Sequence, residues 1–264
     1  MKTFTFFYNR YETATTSKAL ADNDIEHYVM IHSESDYEKF MQGGTMKGIP
    51  VITNNDKGLA YQRNSALDMV NDDEWCVFMC DDFQMIKAFN FDRFKIDEKV
   101  FTDKDTTEYN KAENRYKDRP TLKQLYELFP YLINMAERFN IHLIAFAFNN
   151  NPRNLIRKYS FKGLCDGRFW LIKKSHLKFD INTQLIDDVS WTVLNLKEFG
   201  NNLIVNWIDP EFERYSKGGF GSINQRIEQR KTEAKYLVDK FYPLIRYADK
   251  AGWQDKTHIK IYAK

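Results

Sequence analysis

The sequence predicts an α/β domain: a mainly parallel central sheet flanked by helices, followed by a basic helical extension. Three observations carry this. Strand-length and helix-length runs alternate four times in about the first eighty residues, the order of a parallel sheet covered on both faces. Trp75 to Cys80 is an uncharged apolar run, as a strand buried on both faces requires. That run stops at Asp81-Asp82. Ionised carboxylates are costly to bury unpaired, so the doublet belongs at the open end of its strand. There α/β sheets bind their ligands.

The elements follow in order. Thr3 to Tyr8 is a strand of Phe and Thr leading to Asn9-Arg10. Thr13 to Asn23 is a helix with Thr13 as its cap. His27 to Ser33 is a strand, Ser35 to Met41 a short helix, and Ile49 to Thr53 a third strand entered through Gly48 and Pro50. Leu59 to Val70 is a helix opened by Gly58 and carrying Arg63 and Asn64. Phe91 to Arg119 is polar without a clear period and reads as a surface excursion. Thr121 to Phe139 is an amphipathic helix with a potential break at Pro130. Ile141 to Phe148 and Arg168 to Ile172 are strands. Asp187 to Phe199 is a helix with acids at its start and Gly200 at its stop. Leu203 to Ile208 is a further strand. A glycine-rich turn around Lys217 and Phe220 leads into a basic helix from Ser222 to about Tyr247.

Composition narrows the class. The chain has 264 residues, 43% hydrophobic and 29% charged, enough to fold as a globule. No apolar run approaches a membrane span, so no membrane partner is expected. Its N-terminus lacks the apolar core of a signal peptide. Three cysteines without metal-ligand spacing predict reduced thiols and a cytoplasmic setting. Net charge is only +2, but it is uneven. Arg153, Arg157, Lys158, Lys162, Arg168, Lys173, Lys174 and Lys178 face a single acid, Asp166, in one stretch. Bases again outnumber acids after Glu211. Such stretches are either solvated faces or the footprint of a polyanion.

The acidic doublet suits a divalent cation. One or two carboxylates plus phosphate oxygens is the usual arrangement for Mg²⁺, and Mn²⁺ takes the same ligands. An acidic turn would leave the same trace.

Taken together, Tyr8-Asn9-Arg10 after the first strand, Gly58, Arg63-Asn64 and Asp81-Asp82 resemble the nucleotide-sugar half of the GT-A glycosyltransferases. The chain departs from that pattern at Gln62, where the family has alanine, and at Cys80, where it has the first of three aspartates. The resemblance implies a GT-A domain over residues 1–210. It comprises a nucleotide-sugar-binding half (1–90), an irregular insertion (91–120) and an acceptor half (121–210). Residues 211–264 form a basic extension packed on it. It implies that Tyr8, Arg10, Arg63, Asn64 and Asp81 bind the UDP-sugar, and that Asp82 holds Mn²⁺ or Mg²⁺, with His258 as a further ligand. Asp187-Asp188 resembles the motif that supplies the base in inverting members, with Asp188 taking the acceptor proton and Asp187 beside it.

Further features are similar to the phage TET-associated glycosyltransferases, which modify hydroxymethylated pyrimidines in DNA. These are HSESDYEKF, GLAYQRNSALDMV, the GGFGS turn with its basic helix, and the GW-x-D tail. This implies transfer of glucose or arabinose to 5-hydroxymethylcytosine in double-stranded DNA, in the cytoplasm of an infected host. Arg153, Arg157, Lys158, Lys217, Arg226 and Arg230 would then meet DNA phosphates. Phe220, Trp170 and Trp191 are candidates for stacking on a base or sugar, or core residues. Two other readings remain open: a glycosyltransferase acting on a polysaccharide or other glycan, and a non-catalytic nucleic-acid-binding module with a decayed transfer site.

Overall fold

A computed structural model describes residues 1–7, 15–43, 47–53, 58–89, 118–147, 158–213, 223–248 and 259–262. Twelve strands and six helices follow in chain order. They are β1 (Lys2–Phe6), α1 (Thr15–Asp22), β2 (Tyr28–Ile31), α2 (Glu34–Gly43), β3 (Ile49–Ile52), α3 (Leu59–Asp68), β4 (Trp75–Cys80), β5 (Phe83–Ala88), α4 (Leu122–Arg138), β6 (Leu143–Phe146), β7 (Tyr159–Ser160), β8 (Phe169–Lys173), α5 (Asp187–Phe199), β9 (Leu203–Val205), β10 (Ile208–Phe212), α6 (Ile223–Phe241), β11 (Ile245–Tyr247) and β12 (Ile259–Ile261). These counts are of the described residues.

The central sheet has eight strands in the order β3-β2-β1-β4-β8-β6-β9-β7. Its first half is parallel. Its second half is mixed: β8 runs antiparallel to both β4 and β6, β9 parallel to β6, and β7 antiparallel to β9. The expected mainly parallel sheet is therefore corrected to a mixed one. The reason is connectivity. The chain leaves β6 and returns through β8 without a helical crossover, and only a crossover brings a strand back parallel.

β4 occupies the centre, between β1 and β8. Its alternate residues feed two cores, as a period of two requires. Trp75, Val77 and Met79 pack with Leu20 and the buried face of α4. Cys76 and Phe78 pack with Ala60, Ala66 and Leu67 of α3 and with Trp170, Phe179 and Trp191. Each such large apolar side chain contributes about 1.5–3 kcal/mol when fully buried.

Local chemistry explains the helix limits. Thr121 and Gln124 form a reciprocal capping box at the start of α4, with Gln124 N donating to Thr121 Oγ1 (3.2 Å) and Thr121 N to Gln124 Oε1 (2.8 Å). Pro130 does not break α4. It stands on the exposed side while Leu125, Phe129 and Leu132 bury the other. α5 begins at Asp187 and ends at Gly200, whose φ of 80° is the left-handed cap that glycine favours.

Three expected boundaries are corrected. The run Leu203 to Ile208 is two strands in two sheets, because the chain turns at Asn206-Trp207. β10 then pairs antiparallel with β5, a strand the sequence reading did not anticipate after Asp82. The basic helix stops at Phe241 rather than near Tyr247. Pro243 cannot continue a helix, and Ile245–Tyr247 pairs with β12 instead. The excursion expected over 91–119 lies outside the described residues, except for Asp118 and Arg119. Among the described residues no helix is long and apolar enough to cross a membrane.

Candidate active site

The parallel half runs β3-β2-β1-β4, the strand order of a mononucleotide-binding unit. The carboxyl ends of β1 and β4 are therefore the place to look. Asp81 and Asp82 form the tight link between β4 and β5, where the chain leaves the large sheet for the small one. Asp81 is buried and Asp82 partly exposed. The link is pinned from α1: Thr16 Oγ1 donates to Cys80 O (2.5 Å) and accepts from Phe83 N (2.9 Å), while Thr16 N donates to Asp81 O (3.3 Å). Glu213 N donates to Asp82 O (2.9 Å), tying in the end of β10.

Opposite this link stands the first turn of α5. Gly167 allows a close approach there. A side chain at that position would lie 3.1 Å from Asp188 Cβ and 3.3 Å from the Trp170 ring. Arg168 O accepts from Cys80 N (2.9 Å), so residues 166–168 run directly between the end of β4 and Asp188. Asp188 Oδ1 accepts from Val189 N (2.8 Å). Burial, then the charges of Asp187 and Asp166, push the Asp188 carboxyl up to about 7, against the pull of that hydrogen bond and of Arg63. A carboxyl poised near neutrality, partly exposed and close to a strand end, can exchange a proton with a bound hydroxyl.

Asp187 has a different position. Its carboxylate accepts from Arg63 Nη1 in a buried ion pair, and Arg63 Nη2 donates to Gly167 O (2.8 Å). Burial pushes the Asp187 carboxyl up, and Arg63 opposes that shift. Arg63 is 2% exposed and lies over Trp170 (4.6 Å), Phe179 (5.4 Å) and Phe6 (5.6 Å). The expectation that Arg63 meets the nucleotide is therefore corrected. Its planar guanidinium is enclosed by rings and already serves α5. Asn64 is likewise engaged: its amide donates to Phe179 O (3.0 Å) and accepts from Phe179 N (2.7 Å). Trp170 and Trp191 are core, with Trp191 stacked on Phe179 at 4.0 Å.

Cys80 is the hub of this arrangement. Burial raises its thiol well above the usual range, and the charges of Asp82, Asp81 and Asp166 add to that against Arg63. It stays a neutral thiol that donates weakly to Gly167 O (3.9 Å). All three cysteines are unpaired, as their spacing implied.

Among the described residues no three His, Cys, Asp or Glu side chains converge as a metal-ligand set. Asp82 with Asp81 matches only the sparser Mg²⁺ pattern, in which phosphates complete the shell. His258, Tyr8, Arg10, Arg153, Arg157 and Lys217 lie outside the described residues, as does Phe220.

The expected cationic surface changes character. Lys158 is 4% exposed, with its ammonium over the Tyr159 (5.5 Å) and Trp207 (5.7 Å) rings, so it is corrected from a phosphate contact to a buried cation. On α6, Arg230 is exposed and Arg226 half-buried. Lys231 pairs with Glu228 (2.8 Å), Lys235 with Asp239 (2.6 Å) and Lys240 with Asp180 (2.6 Å), which reduces the helix's net field.

Three contributors escaped sequence reasoning. Glu233 of α6 accepts from the successive backbone amides of Gln184 (3.0 Å), Leu185 (2.9 Å) and Ile186 (3.2 Å), the segment that delivers Asp187 and Asp188. Asp166 and Arg168 line an open cleft of about 170 Å³ with Phe146, Phe169, Pro210 and Phe212. The one available signal was Asp166 itself, the lone acid in a basic stretch.

No family model matches the chain, and no curated protein matches it. Among solved structures, a crystal structure of mannose-6-phosphate isomerase from Helicobacter pylori is similar over 77% of this chain and 68% of its own, with 11% identity and a TM-score of 0.33. A likeness that low carries no argument about fold or chemistry.

Proposed function

We propose that this chain is a metal-dependent GT-A glycosyltransferase. It moves glucose or arabinose from a UDP-sugar to the hydroxyl of 5-hydroxymethylcytosine in double-stranded DNA. The observation that carries the reading is Asp188: a carboxyl raised to about 7 next to the acidic end of the central parallel strand. In the reaction, the acceptor oxygen bonds to the anomeric carbon as the bond from that carbon to the diphosphate breaks. The electron pair leaves with UDP, and the hydroxyl proton passes to the Asp188 carboxylate. Asp82, with Asp81, would hold Mn²⁺ or Mg²⁺, which supplies charge neutralisation for the diphosphate. Arg63 and Asp187 hold the first turn of α5 so that Asp188 meets the acceptor.

The test is incubation with a panel of UDP-sugars and duplex DNA with or without 5-hydroxymethylcytosine, read by nucleoside mass spectrometry. Hexose or pentose mass on the modified nucleoside is expected, and only there. Sugar transferred to a glycan but never to DNA would replace the acceptor. DNA binding with no transfer to any acceptor would favour the decayed module. Asp82→Ala should abolish turnover while leaving the melting temperature and DNA binding in place.

A further inference from the structure

We propose that the cleft beside Asp188 seats a flipped 5-hydroxymethylcytosine, and that Asp166 and Arg168 read its Watson–Crick edge. This rests on the glycosyltransferase reading and names the residues that choose the base.

The cleft has the right neighbours. Its wall runs through residues 166–168, which lie between the end of β4 and Asp188. A ring seated there would hold a 5-substituent close to the carboxyl that accepts the proton. Its size is also informative. Drug-sized ligands occupy roughly 300–1,000 Å³, so about 170 Å³ suits one flat ring rather than a whole nucleotide sugar. The lining is Phe146, Phe169, Phe212 and Pro210, the apolar faces that an extruded base stacks upon.

The polar pair supplies the code. Asp166 Oδ1 accepts from Arg168 Nε (2.6 Å) and Arg168 N (3.2 Å). Asp166 Oδ2 and both terminal guanidinium nitrogens have no hydrogen bond among the described residues, and both side chains are about a quarter exposed. Arg168 also lies 5.5 Å from the Phe212 ring centroid, which holds the guanidinium near the cleft. The pair thus offers one acceptor beside two donors. The Watson–Crick edge of cytosine offers the complement: an amine donor beside two acceptors, N3 and O2. A uracil ring presents O4 to the carboxylate and N3–H to the guanidinium, a mismatch at both groups. Polar groups left unpaired in this way are what give a hydrogen-bonding site its selectivity.

The experiment compares kcat/KM on duplexes carrying 5-hydroxymethylcytosine or 5-hydroxymethyluracil. The wild-type chain should prefer the cytosine by roughly tenfold to hundredfold, the worth of one bidentate pair. Asp166→Asn, whose amide can donate to O4, should bring that ratio close to one. Arg168→Met should reduce it, and Arg168→Lys should restore part of it. Melting curves separate these effects from unfolding, and the two Arg168 variants carry the test if Asp166→Asn fails to fold. A 2-aminopurine beside the target should brighten on binding as its neighbour leaves the stack. Equal losses on both bases with the ratio kept, or no brightening, would overturn the assignment while transfer to DNA stands. No transfer by the wild-type chain to either base would overturn the glycosyltransferase reading and this inference with it.

Discussion

Two aspartate doublets look alike in the sequence and behave differently in the fold. Asp81-Asp82 closes a strand, and its backbone is pinned by Thr16 and Glu213. Asp187-Asp188 opens a helix, and its two carboxyls are split by their surroundings. Asp187 is neutralised by Arg63 in the core, and Asp188 is left with a carboxyl near 7. A doublet therefore assigns no role. The roles come from which member gains a cation and which remains beside solvent. The first doublet is held by a hydroxyl and main-chain bonds, the second by charge. Substitutions should accordingly affect the two in different ways.

The largest effect is expected at Asp188. Asp188→Asn should lower kcat by about a hundredfold or more, the usual worth of a positioned general base. The wild-type rate should rise with pH through about 7, as the carboxyl becomes able to accept a proton. Stability should move in the opposite direction. The folded value of about 7 lies above the ordinary 3.8. Between them the folded chain keeps a proton that the unfolded chain has lost, so stability falls as pH rises through that window. Asn in its place removes the penalty. Its melting temperature should exceed that of the wild type at pH 8, by about 2–4 °C per kcal/mol recovered, and match it near pH 3. Equal melting temperatures at pH 8 would show that burial does not disfavour this charge.

Next comes the ion pair behind the second doublet. Arg63→Met leaves Asp187 buried and unpaired, which should cost about 3–5 kcal/mol. Arg63→Met with Asp187→Asn should recover much of that loss. Denaturant titrations of the four chains measure the coupling. Additive losses would mean that the two side chains act independently.

A smaller effect is expected at Glu233. Glu233→Gln keeps the shape but removes the charge that three backbone amides share, at a cost of about 1–2 kcal/mol. The loss should appear in stability and in kcat together, because the same segment delivers Asp188. Amide hydrogen exchange at residues 184–186 should quicken. An unchanged exchange rate there would detach α6 from the site.

Much of this architecture was legible before any coordinates. The continuous apolar run of β4 predicted a strand covered on both sides, and both of its faces are core. The acids at the start of α5 and the glycine at its end predicted that helix to the residue. The first three strands and helices followed from alternation alone. The second half was harder. Phe83 to Ala88 alternates too weakly to announce a strand, and its pairing with β10 joins segments more than a hundred residues apart. The split of Leu203 to Phe212 between two sheets is likewise decided by partners rather than by pattern.

Periodicity and capping chemistry act over a few residues, so the chain could announce β4, α5 and the positions of its two acidic doublets. Burial and pairing are properties of what arrives from elsewhere. Arg63 carries the same charge in any helix. Only the approach of Trp170 and of Asp187, 124 residues away, makes it a core cation instead of a ligand contact. The carboxyl of Asp188 becomes a group that titrates near 7 for the same reason. Its raised value comes from folded burial and from Asp166 and Asp187 held beside it, and no local run of residues encodes that.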